Sequence, residues 1–408
     1  MRPSPTVPEL NDLTQIDFYD SDQRTLSNRT ILFVDHAAAL GGAERSLLML
    51  LGRLDRYGWQ PHLACTGGQL ATDAAAMGIP YHLMAMPRLR RSSRFVRDLW
   101  GEARGLAALA NQLEVEALYA NTVRAAVYTS LASRISKRPF IWHMRDFWLS
   151  ENKPARTWLD SIGKRFLIAA STAVVANSHA VAAKLPRSPA VNVVMNGIDL
   201  KTLQDESVGE SFRVDHAIPE NALIVSTVGR LRPWKGQDRF LRIASNVRSS
   251  QPDAYFVIAG GSPFSVDDDY QPMLKRLAAN LGLQDHVRFT GQLDDVRALL
   301  AATDIFIHAG DPEPFGLVNV EAMAMGLPVV AFAHGALPEI VVDGVTGILT
   351  PAIDESAMTR AVLRLIADPE LRLRMGQTAK RLAVERFSIE RTTGEINQLL
   401  QRYLGDRE

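Results

Sequence analysis

Short apolar runs alternate with longer amphipathic segments along almost the whole chain. A run such as "ILFVD" is rich in β-branched and aromatic residues, which predicts a short strand. The segment "AERSLLMLLGRL" follows it, and its apolar residues recur at helical spacing. Because this unit repeats, the pattern predicts an α/β fold in which helices cover both faces of a parallel sheet.

The predicted strands fall into two groups. The first group is "TILFVD", "PHLACT", "EALYAN", "PFIWHM", "TAVVANS" and "VNVVMN", and the second is "ALIVSTVGRL", "AYFVIAGG", "VRFTGQ", "DIFIHAG", "PVVAFAHG" and "GILT". Between the groups, residues 199–219 are polar and predict an irregular linker. We therefore expect two Rossmann-like doubly wound domains that face a cleft, with ligands beyond the carboxyl ends of the strands.

The domain boundaries follow from these patterns. We expect a polar N-terminal extension over residues 1–28, an N-terminal Rossmann-like domain over residues 29–212 and a second one over residues 213–387. Residues 388–408 read as a final helix. The N-terminal extension lacks the apolar segment of a signal peptide.

Composition narrows the class of protein. The 408 residues include 45 Lys and Arg against 45 Asp and Glu, so no net positive field favours nucleic acid. Cys65 is the only cysteine, which excludes an intramolecular disulfide and a cysteine-rich metal site. No apolar run approaches the roughly 20 residues that span a bilayer. We expect a cytoplasmic protein.

A glycine pair, Gly41 and Gly42, separates the first predicted strand from the first predicted helix. Glycine lets a backbone approach a ligand closely, and a helix N-terminus offers free N–H groups to an anion. The pair therefore indicates a ligand contact, although a tight turn without a ligand would have the same sequence.

The densest group of candidate site residues lies in "DPEPFGLVNVEAMAMG". A helix is expected to start near Phe315 or Gly316, and the free N–H groups of Phe315, Gly316 and Leu317 would suit a phosphate. Glu321 would lie one turn into the helix, and Glu313 would lie outside it. The two carboxylates could bind hydroxyl groups on either side of that phosphate, or could be solvated acids at a helix start.

Basic residues occur in a second stretch, "VGRLRPWKGQDRF". Arg230 and Lys235 follow a predicted strand and could converge on a diphosphate, Arg with a planar fork and Lys as a point charge. Arg232 is expected to be solvated. Basic loop residues are often surface residues, so this stretch alone is a weak indication.

Taken in order, the motifs resemble those of a known family. They are "GGAER", "WHMRD", "VANSHAVAAKL", "VMNGIDL", "VGRLRPWKG", "IAGGSP", "VRFTGQL", "EPFGLVNVEAMAMGLPVVA" and "GVTGIL". The chain resembles the retaining glycosyltransferases of the GT-B fold in family 4, also called group 1, over residues 31–387. The resemblance implies two facing domains and a C-terminal helix that crosses back to the first domain.

The resemblance also implies how the second domain binds a nucleotide diphosphate sugar, either a UDP-sugar or GDP-mannose. Arg230 and Lys235 would neutralise the diphosphate, and the helix start near Gly316 would bind the phosphate next to the sugar. Glu313 would bind sugar hydroxyls and Glu321 the ribose. The base would lie at a strand end formed by Thr290, Gly291 and Gln292.

In the first domain, the resemblance implies that Gly41 and Gly42 bring a helix N-terminus to the phosphate and sugar of the donor. His143 would line the sugar site, although a lone histidine can be purely structural. We expect Arg145 and Asp146 to support His143 or to touch the acceptor. Trp142 and Trp148 are expected to pack or to line the acceptor site.

The implied reaction retains anomeric configuration, with the diphosphate as leaving group and a saccharide or lipid-linked acceptor. Cations and backbone donors would stabilise the charge on the diphosphate, and no protein nucleophile or metal is expected. "DDD" at residues 267–269 resembles a metal signature, but acids in front of a helix favour a capping role.

An arginine-rich stretch over residues 86–104 carries aromatic and aliphatic side chains among its basic residues. The arginines are Arg88, Arg90, Arg91, Arg94, Arg97 and Arg104. Such a stretch can lie on an anionic membrane or bind a phosphorylated acceptor. A solvated helix with a buried stripe is the alternative.

Two other functions remain open at this point. A GT-B epimerase shares the architecture, and a non-catalytic sugar-nucleotide-binding subunit would share the fold without the chemistry. A Rossmann dehydrogenase is disfavoured because no G-x-G-x-x-G follows a strand.

Overall fold

The computed structural model describes residues 29–87, 95–147, 157–203, 208–261 and 269–405. These residues form two parallel sheets with helices on both faces, which confirms the predicted α/β fold of two doubly wound domains. Every strand pairing within the two sheets is parallel.

The first sheet contains the strands of the N-terminal domain. They are β1 (Arg29–Asp35), β2 (Trp59–Cys65), β3 (Tyr81–Leu83), β4 (Ala117–Ala120), β5 (Phe140–Met144), β6 (Ala173–Ala176) and β7 (Val191–Val193). Their order is β3-β2-β1-β4-β5-β6-β7. The direction of strand addition reverses between β1 and β4, which creates a crevice at the carboxyl ends of the strands.

The second sheet repeats this order. Its strands are β8 (Ile224–Val228), β9 (Tyr255–Ala259), β10 (Val287–Gly291), β11 (Ile305–His308), β12 (Val329–Phe332) and β13 (Gly347–Thr350). They are arranged β10-β9-β8-β11-β12-β13, so the reversal lies between β8 and β11.

Helices cover the sheets. In the first half of the chain they are α1 (Gly42–Leu51), α2 (Gln69–Ala76), α3 (Phe95–Gln112), α4 (Val123–Ser136), α5 (Thr157–Ala170) and α6 (His179–Ala182). In the second half they are α7 (Val208–Asp215), α8 (Gln237–Arg248), α9 (Tyr270–Asn280), α10 (Arg297–Ala302), α11 (Leu317–Ala324), α12 (Leu337–Ile340), α13 (Glu355–Ala367), α14 (Pro369–Phe387) and α15 (Ile389–Leu404).

Strand β1 shows why the strands read as continuous apolar runs. Leu32 and Val34 lie in the cluster with α3 and α4, whereas Ile31 and Phe33 lie in the cluster with α1 and α15. All four side chains are fully buried. A strand covered on both faces needs apolar residues at every position, so period-two alternation disappears.

The last helix crosses back to the first domain, as predicted. Ile396 and Leu400 of α15 pack in the same cluster as Phe33, and Trp59 Nε1 donates to Asn397 Oδ1 at 2.8 Å. The two crossing segments hydrogen-bond to each other, with Ile389 N donating to Ile198 O at 2.9 Å. The connection between the domains is therefore double.

Three details differ from the sequence prediction. The predicted linker contains the helix α7, whose Phe212 is buried against the second domain, so the division after residue 212 cuts this helix. In the sequence, polar residues of α7 such as Glu210 and Arg213 obscure its short apolar stripe. Strand β3 was missed because it is a three-residue edge strand with exposed Tyr81 and Leu83.

Candidate active site

The carboxyl ends of the two sheets carry loops that meet across a cleft. Ser178 Oγ, in the first domain, donates to the carbonyl of Pro314 in the second at 2.6 Å. Glu339 of α12 accepts from the backbone N–H groups of His179 and Ala180 at 2.8 and 2.7 Å. Its carboxylate thus bonds the first residues of α6 across the domain boundary.

The glycine pair lies on this boundary. A Cβ atom built on Gly42 would lie 3.6 Å from Leu317 Cδ1, so the start of α1 faces the start of α11 across the cleft. The N–H of Gly41 donates to the Glu44 carboxylate at 2.8 Å. The Gly41 N–H is therefore engaged within the protein, and Gly42 is the residue of the pair that faces the second domain.

Helix α11 begins at Leu317, within two residues of the predicted start. Gly316 has φ of 92°, a left-handed conformation that favours glycine, and a Cβ there would lie 2.6 Å from Asn319 Nδ2. Phe315 is buried and packs edge-to-face on Phe387, so only its backbone can serve a ligand. The helix start directs backbone N–H groups and the positive end of its dipole toward the cleft.

Glu313 is held between two groups of its own domain. Its Oε1 forms an ion pair with Lys235 Nζ and lies 3.3 Å from His308 Nε2. Burial alone would raise the pKa of Glu313, but Lys235 and His308 together hold it well below its usual range. Arg230 is exposed at the end of β8, and its carbonyl accepts from Gln237 Nε2 at 3.0 Å.

Glu321 lies on α11 and is half-buried. Burial raises its pKa, Asp295 acts in the same direction, and Arg45 of α1 opposes them. Arg45 thus faces Glu321 from the other domain. Glu313 and Glu321 consequently lie in different electrostatic surroundings, which lower the pKa of the first and raise the pKa of the second.

Buried polar side chains form the floor of the first domain. Asn121 Nδ2 donates to Asp35 Oδ2 at 2.7 Å, and Arg145 donates to Asn121 Oδ1 and to Asn196 Oδ1 at 2.5 and 2.6 Å. Burial and the charge of Glu44 raise the pKa of Asp35 to about 7. Burial lowers the pKa of Arg145 to about 10, which still leaves it charged at neutral pH.

His143 lies beside this floor at the end of β5, with its side chain fully buried. Its Nδ1 is 2.7 Å from the Tyr119 hydroxyl, and its Nε2 has no hydrogen-bond partner among the described residues. Burial, with Arg145 in addition, lowers the pKa of His143 well below its ordinary value, so the ring is neutral. Trp142 is fully buried, which agrees with a packing role.

Asp146 faces the charged residues of the second domain. Its Oδ1 accepts from the N–H of Phe147 at 2.8 Å. The Asp146 side chain keeps contact with solvent, but the protein around its carboxylate removes part of its hydration and raises its pKa to about 6; Glu313 contributes to the increase, whereas Lys235 and Arg230 oppose it. Asp146 is thus the carboxylate that the first domain brings to Glu313 and Lys235.

The predicted base site lies at the edge of the second sheet. Thr290 and Gly291 end β10, the outermost strand on that side, and Gln292 follows it. Two strand spacings, about 10 Å, separate β10 from β8, after which Arg230 lies. This separation between a base site and a diphosphate site is compatible with one nucleotide.

The remaining predictions for the second domain concern Arg232 and the acidic residues 267–269. Arg232 is buried beside Trp234 rather than solvated. Asp269 precedes α9, but its side chain makes no capping hydrogen bond, while Asp267 and Asp268 lie outside the described residues. Within the described ranges, no cluster of three or more His, Cys, Asp or Glu side chains could hold a metal.

The arginine-rich stretch is described only in part. Arg88, Arg90, Arg91 and Arg94 lie outside the described residues, as does Trp148. On α3, the side chains of Val96, Arg97, Trp100 and Arg104 are exposed. No helix in the described portion of the chain is long and apolar enough to cross a bilayer.

Known families match both halves of the chain. Residues 209–382 match the family described as "Glycosyl transferases group 1", and residues 40–202 match "Glycosyltransferase Family 4". Together the two matches cover most of the chain and correspond to its two domains. The chain belongs to the group 1, family 4 glycosyltransferases.

Similar glycosyltransferases include two curated relatives. The D-inositol 3-phosphate glycosyltransferase of Salinispora arenicola is 36% identical over 259 residues, which are 59% of this chain and 56% of the relative. The GDP-mannose-dependent alpha-(1-6)-phosphatidylinositol monomannoside mannosyltransferase of Mycolicibacterium smegmatis is 36% identical over 186 residues, 43% and 47% of the two chains. The match spans about half the length of these relatives.

A solved structure resembles this glycosyltransferase over nearly its whole length. It is Anabaena Alr3699/HepE in complex with UDP and glucose, which is 27% identical with a TM-score of 0.79. The alignment covers 91% of this chain and 99% of that one. The architecture is therefore that of GT-B glycosyltransferases.

Several residues of this glycosyltransferase cleft escaped the sequence analysis. His308 was read only as part of a strand, and neither Ser178 nor Glu339 was assigned a contact across the cleft. The sequence does carry a signal for His308, because this residue ends an apolar strand five residues before Glu313. The partners of Ser178 and Glu339 lie 136 and about 160 residues away, which no periodicity reveals.

Proposed function

We propose that this protein transfers a hexose-type sugar, with retention of configuration, from a nucleotide diphosphate sugar to a saccharide or lipid-linked acceptor. The observation that carries the proposal is the apposition of two helix starts, Gly42 of α1 and Leu317 of α11, with Lys235 paired to Glu313 just before α11. Backbone N–H groups from both domains and a cation would then converge on one anion. A diphosphate fits this arrangement.

The second domain would hold the donor. Lys235 and Arg230 would neutralise the diphosphate, Glu321 would accept hydrogen bonds from the ribose, and Glu313 would accept them from the sugar. Support for a UDP- or GDP-linked donor comes from HepE, whose structure contains UDP and glucose, and from the GDP-mannose-dependent relative. A UDP-sugar and GDP-mannose are thus the first donors to test.

The reaction would proceed without a protein nucleophile. Negative charge that develops on the leaving diphosphate would be stabilised by Lys235, Arg230 and the start of α11, all of which are fixed before the reaction. Glu313 is ion-paired and buried, which favours a positioning role over nucleophilic attack. The leaving phosphate would take the proton of the acceptor hydroxyl on the same face of the sugar.

The acceptor would bind on the first domain, near Asp146 and His143. Relatives named for inositol phosphate and for phosphatidylinositol mannoside support an acceptor with sugar or lipid character. We propose a role in polysaccharide or glycoconjugate biosynthesis in the cytoplasm. The exposed Val96, Arg97, Trp100 and Arg104 of α3 would let the protein bind an anionic membrane surface peripherally.

Binding and product analysis test the proposal together. Thermal denaturation with UDP, GDP and ADP should show stabilisation by one nucleotide, because a ligand that binds only the folded state raises the midpoint. The preferred nucleotide then selects the sugar donors for transfer assays, with NMR to determine the anomeric configuration of the product. Failure of all three nucleotides to stabilise the protein would contradict the proposal, as would an epimerised donor in the absence of acceptor.

Metal dependence is tested separately. Because Lys235, Arg230 and the start of α11 can together balance the diphosphate charge, transfer should survive EDTA. Loss of activity in EDTA that manganese or magnesium restores would contradict this part of the proposal and return attention to residues 267–269. Liposome flotation with phosphatidylglycerol vesicles, comparing the wild type with Trp100→Ser, tests the membrane contact.

A further inference from the structure

Lys235 cannot serve two anions equally well at the same time. In the structure its ammonium group is paired with the Glu313 carboxylate. The proposed function, on which this inference rests, gives the same ammonium group to the diphosphate of the donor. When the donor binds, Glu313 therefore loses most of its attraction to Lys235, which is its strongest electrostatic partner.

The carboxylate that is left is poorly solvated. The Glu313 side chain is only 12% exposed, and among the described residues the other charged or titratable partner of its Oε1 is His308, which is 7% exposed. A buried charge without a partner is costly, so a titratable side chain next to it tends to change its protonation state. His308 is the residue beside Glu313 that can become a cation by binding a proton.

The geometry of His308 defines where that proton would go. Nε2 faces the carboxylate at 3.3 Å, so the neutral ring carries its hydrogen on Nε2 and donates it to Glu313. Nδ1 is buried and has no hydrogen-bond partner among the described residues. Nδ1 is therefore the free basic position of the ring.

We propose that His308 is a proton-coupled positioning residue: when a sugar nucleotide takes Lys235, the imidazole of His308 binds one proton from solvent and replaces the ammonium group as the cationic partner of Glu313. The lysine keeps its proton, so the net change is the uptake of one proton per donor bound. Protonated His308 holds Glu313 ionised and oriented toward the sugar hydroxyls.

Other charged groups around Glu313 come from every neighbouring element. Arg230 lies at the end of β8 and, like Lys235, would be drawn to the diphosphate. Asp146 faces Glu313 from the first domain and adds negative charge. His334 lies near His308, while Arg239 and Asp311 form a pair at 2.8 Å. Asp146 and the donor diphosphate both favour a positive charge on His308, and His334 remains neutral because burial, then His308, lowers its pKa.

Calorimetric titration with UDP-glucose and with GDP-mannose tests this inference. Both phosphates of these probes are esterified, so the probes do not titrate near neutral pH, unlike free UDP with its terminal phosphate. Titration in Tris and in PIPES at pH 7.5 measures the number of protons exchanged, because the two buffers have different ionisation enthalpies. We expect the wild type to take up a measurable fraction of a proton, and at most one, per probe bound. Accordingly, its affinity should fall as pH rises, by at most about tenfold per pH unit.

Two variants and one control locate the proton. His308→Gln keeps an N–H donor near Glu313 but cannot be protonated, so it should bind the probe with little or no proton uptake and a flat pH dependence. Lys235→Met removes the ammonium group before binding, so it should bind more weakly and also without uptake. His286→Gln is the matched control, since His286 precedes β10 at the opposite end of the sheet and should behave as the wild type.

The outcomes separate this inference from the proposed function. Binding of either probe by the wild type without proton uptake overturns the inference and leaves the proposed function intact. Uptake that persists unchanged in His308→Gln or in Lys235→Met also overturns it, because the proton would then bind elsewhere. If neither probe binds the wild type, the proposed donor function itself fails and the inference fails with it. If His308→Gln does not fold, proton uptake by Lys235→Met and the pH dependence of wild-type affinity still test the inference.

Discussion

The contact between Glu339 and α6 should control how the two domains close. The Glu339 carboxylate accepts two hydrogen bonds, from the N–H groups of His179 and Ala180 at 2.8 and 2.7 Å. The Glu339→Gln substitution replaces one acceptor oxygen with an NH₂ group that points at a backbone N–H. At least one charge-assisted hydrogen bond is lost, and the remaining one becomes a weaker neutral bond.

The structure sets the size of the effect. A hydrogen bond to a charged group contributes about 1.5 to 3 kcal/mol, so the ratio of closed to open molecules should fall roughly 10- to 150-fold. The substitution should leave the second domain intact, because α12 is also held by Arg386, which donates to the backbone carbonyl of Glu339 at 3.2 Å. The effect should therefore concern closure and not folding.

Hydrogen exchange and kinetics measure the effect. Exchange at the amides of His179 and Ala180 should accelerate in Glu339→Gln, and kcat/KM for transfer should decrease. Glu370→Gln is the control, since Glu370 is exposed at the start of α14 and undergoes the same chemical change. Unchanged exchange at these two amides, together with an unchanged kcat/KM, would refute the reasoning.

Three further predictions concern the charged residues of the cleft. Lys235→Ala should weaken sugar nucleotide binding by about 2 to 4 kcal/mol with the fold intact, as measured by calorimetry and circular dichroism; unchanged affinity would remove Lys235 from the site. Glu321→Gln should weaken the binding of both free nucleotide and sugar nucleotide. Glu313→Gln should reduce transfer but leave the free nucleotide at least as tightly bound, because the substitution releases Lys235. Equal losses of nucleotide affinity in the two variants would be inconsistent with this assignment. The pKa of Asp146 is raised to about 6, so its carboxylate is mostly protonated below that pH. If the ionised carboxylate assists transfer, the rate of the wild type should rise from pH 5 to pH 7, and Asp146→Asn should lack this rise. Identical pH–rate profiles of the two proteins would contradict that role.

The fold was predictable because the same physical condition applies to most of its strands. Helices cover both faces of each sheet, so strands such as β1 and β5 contain continuous, mainly apolar runs that stand out from the amphipathic helices. The prediction failed where this condition is weak. Strand β3 is short and lies at an edge, and α7 is a two-turn helix with only one strongly buried large residue, Phe212.

The site was predictable in its backbone but less so in its side-chain pairs. Gly42 and Gly316 are placed by local rules, since glycine at a helix start allows close approach or a positive φ. The pairing of Lys235 with Glu313 joins residues 78 positions apart, and local sequence assigns one to phosphate and the other to sugar. Only the fold shows that the residues proposed for these two roles are paired with each other.

The two domains share a strand order but differ in chemistry, and this difference makes the cleft asymmetric. The last residue of β1 is Asp35, whose pKa is raised by burial to about 7, although the hydrogen bond from Asn121 favours its ionised form. The equivalent position after β8 leads to Arg230 and Lys235. Because the switch points are topologically the same, the fold alone does not decide which domain attracts an anion. In the proposed function the loops decide it: a diphosphate would gain most from the cations of the second domain, while the first domain would supply backbone N–H groups beside a floor in which Arg145 and Asp35 carry opposite charges. In the proposed function, closure would then complete the anion site with the uncharged backbone near Gly42, while Ser178 and Glu339 hold the two domains together.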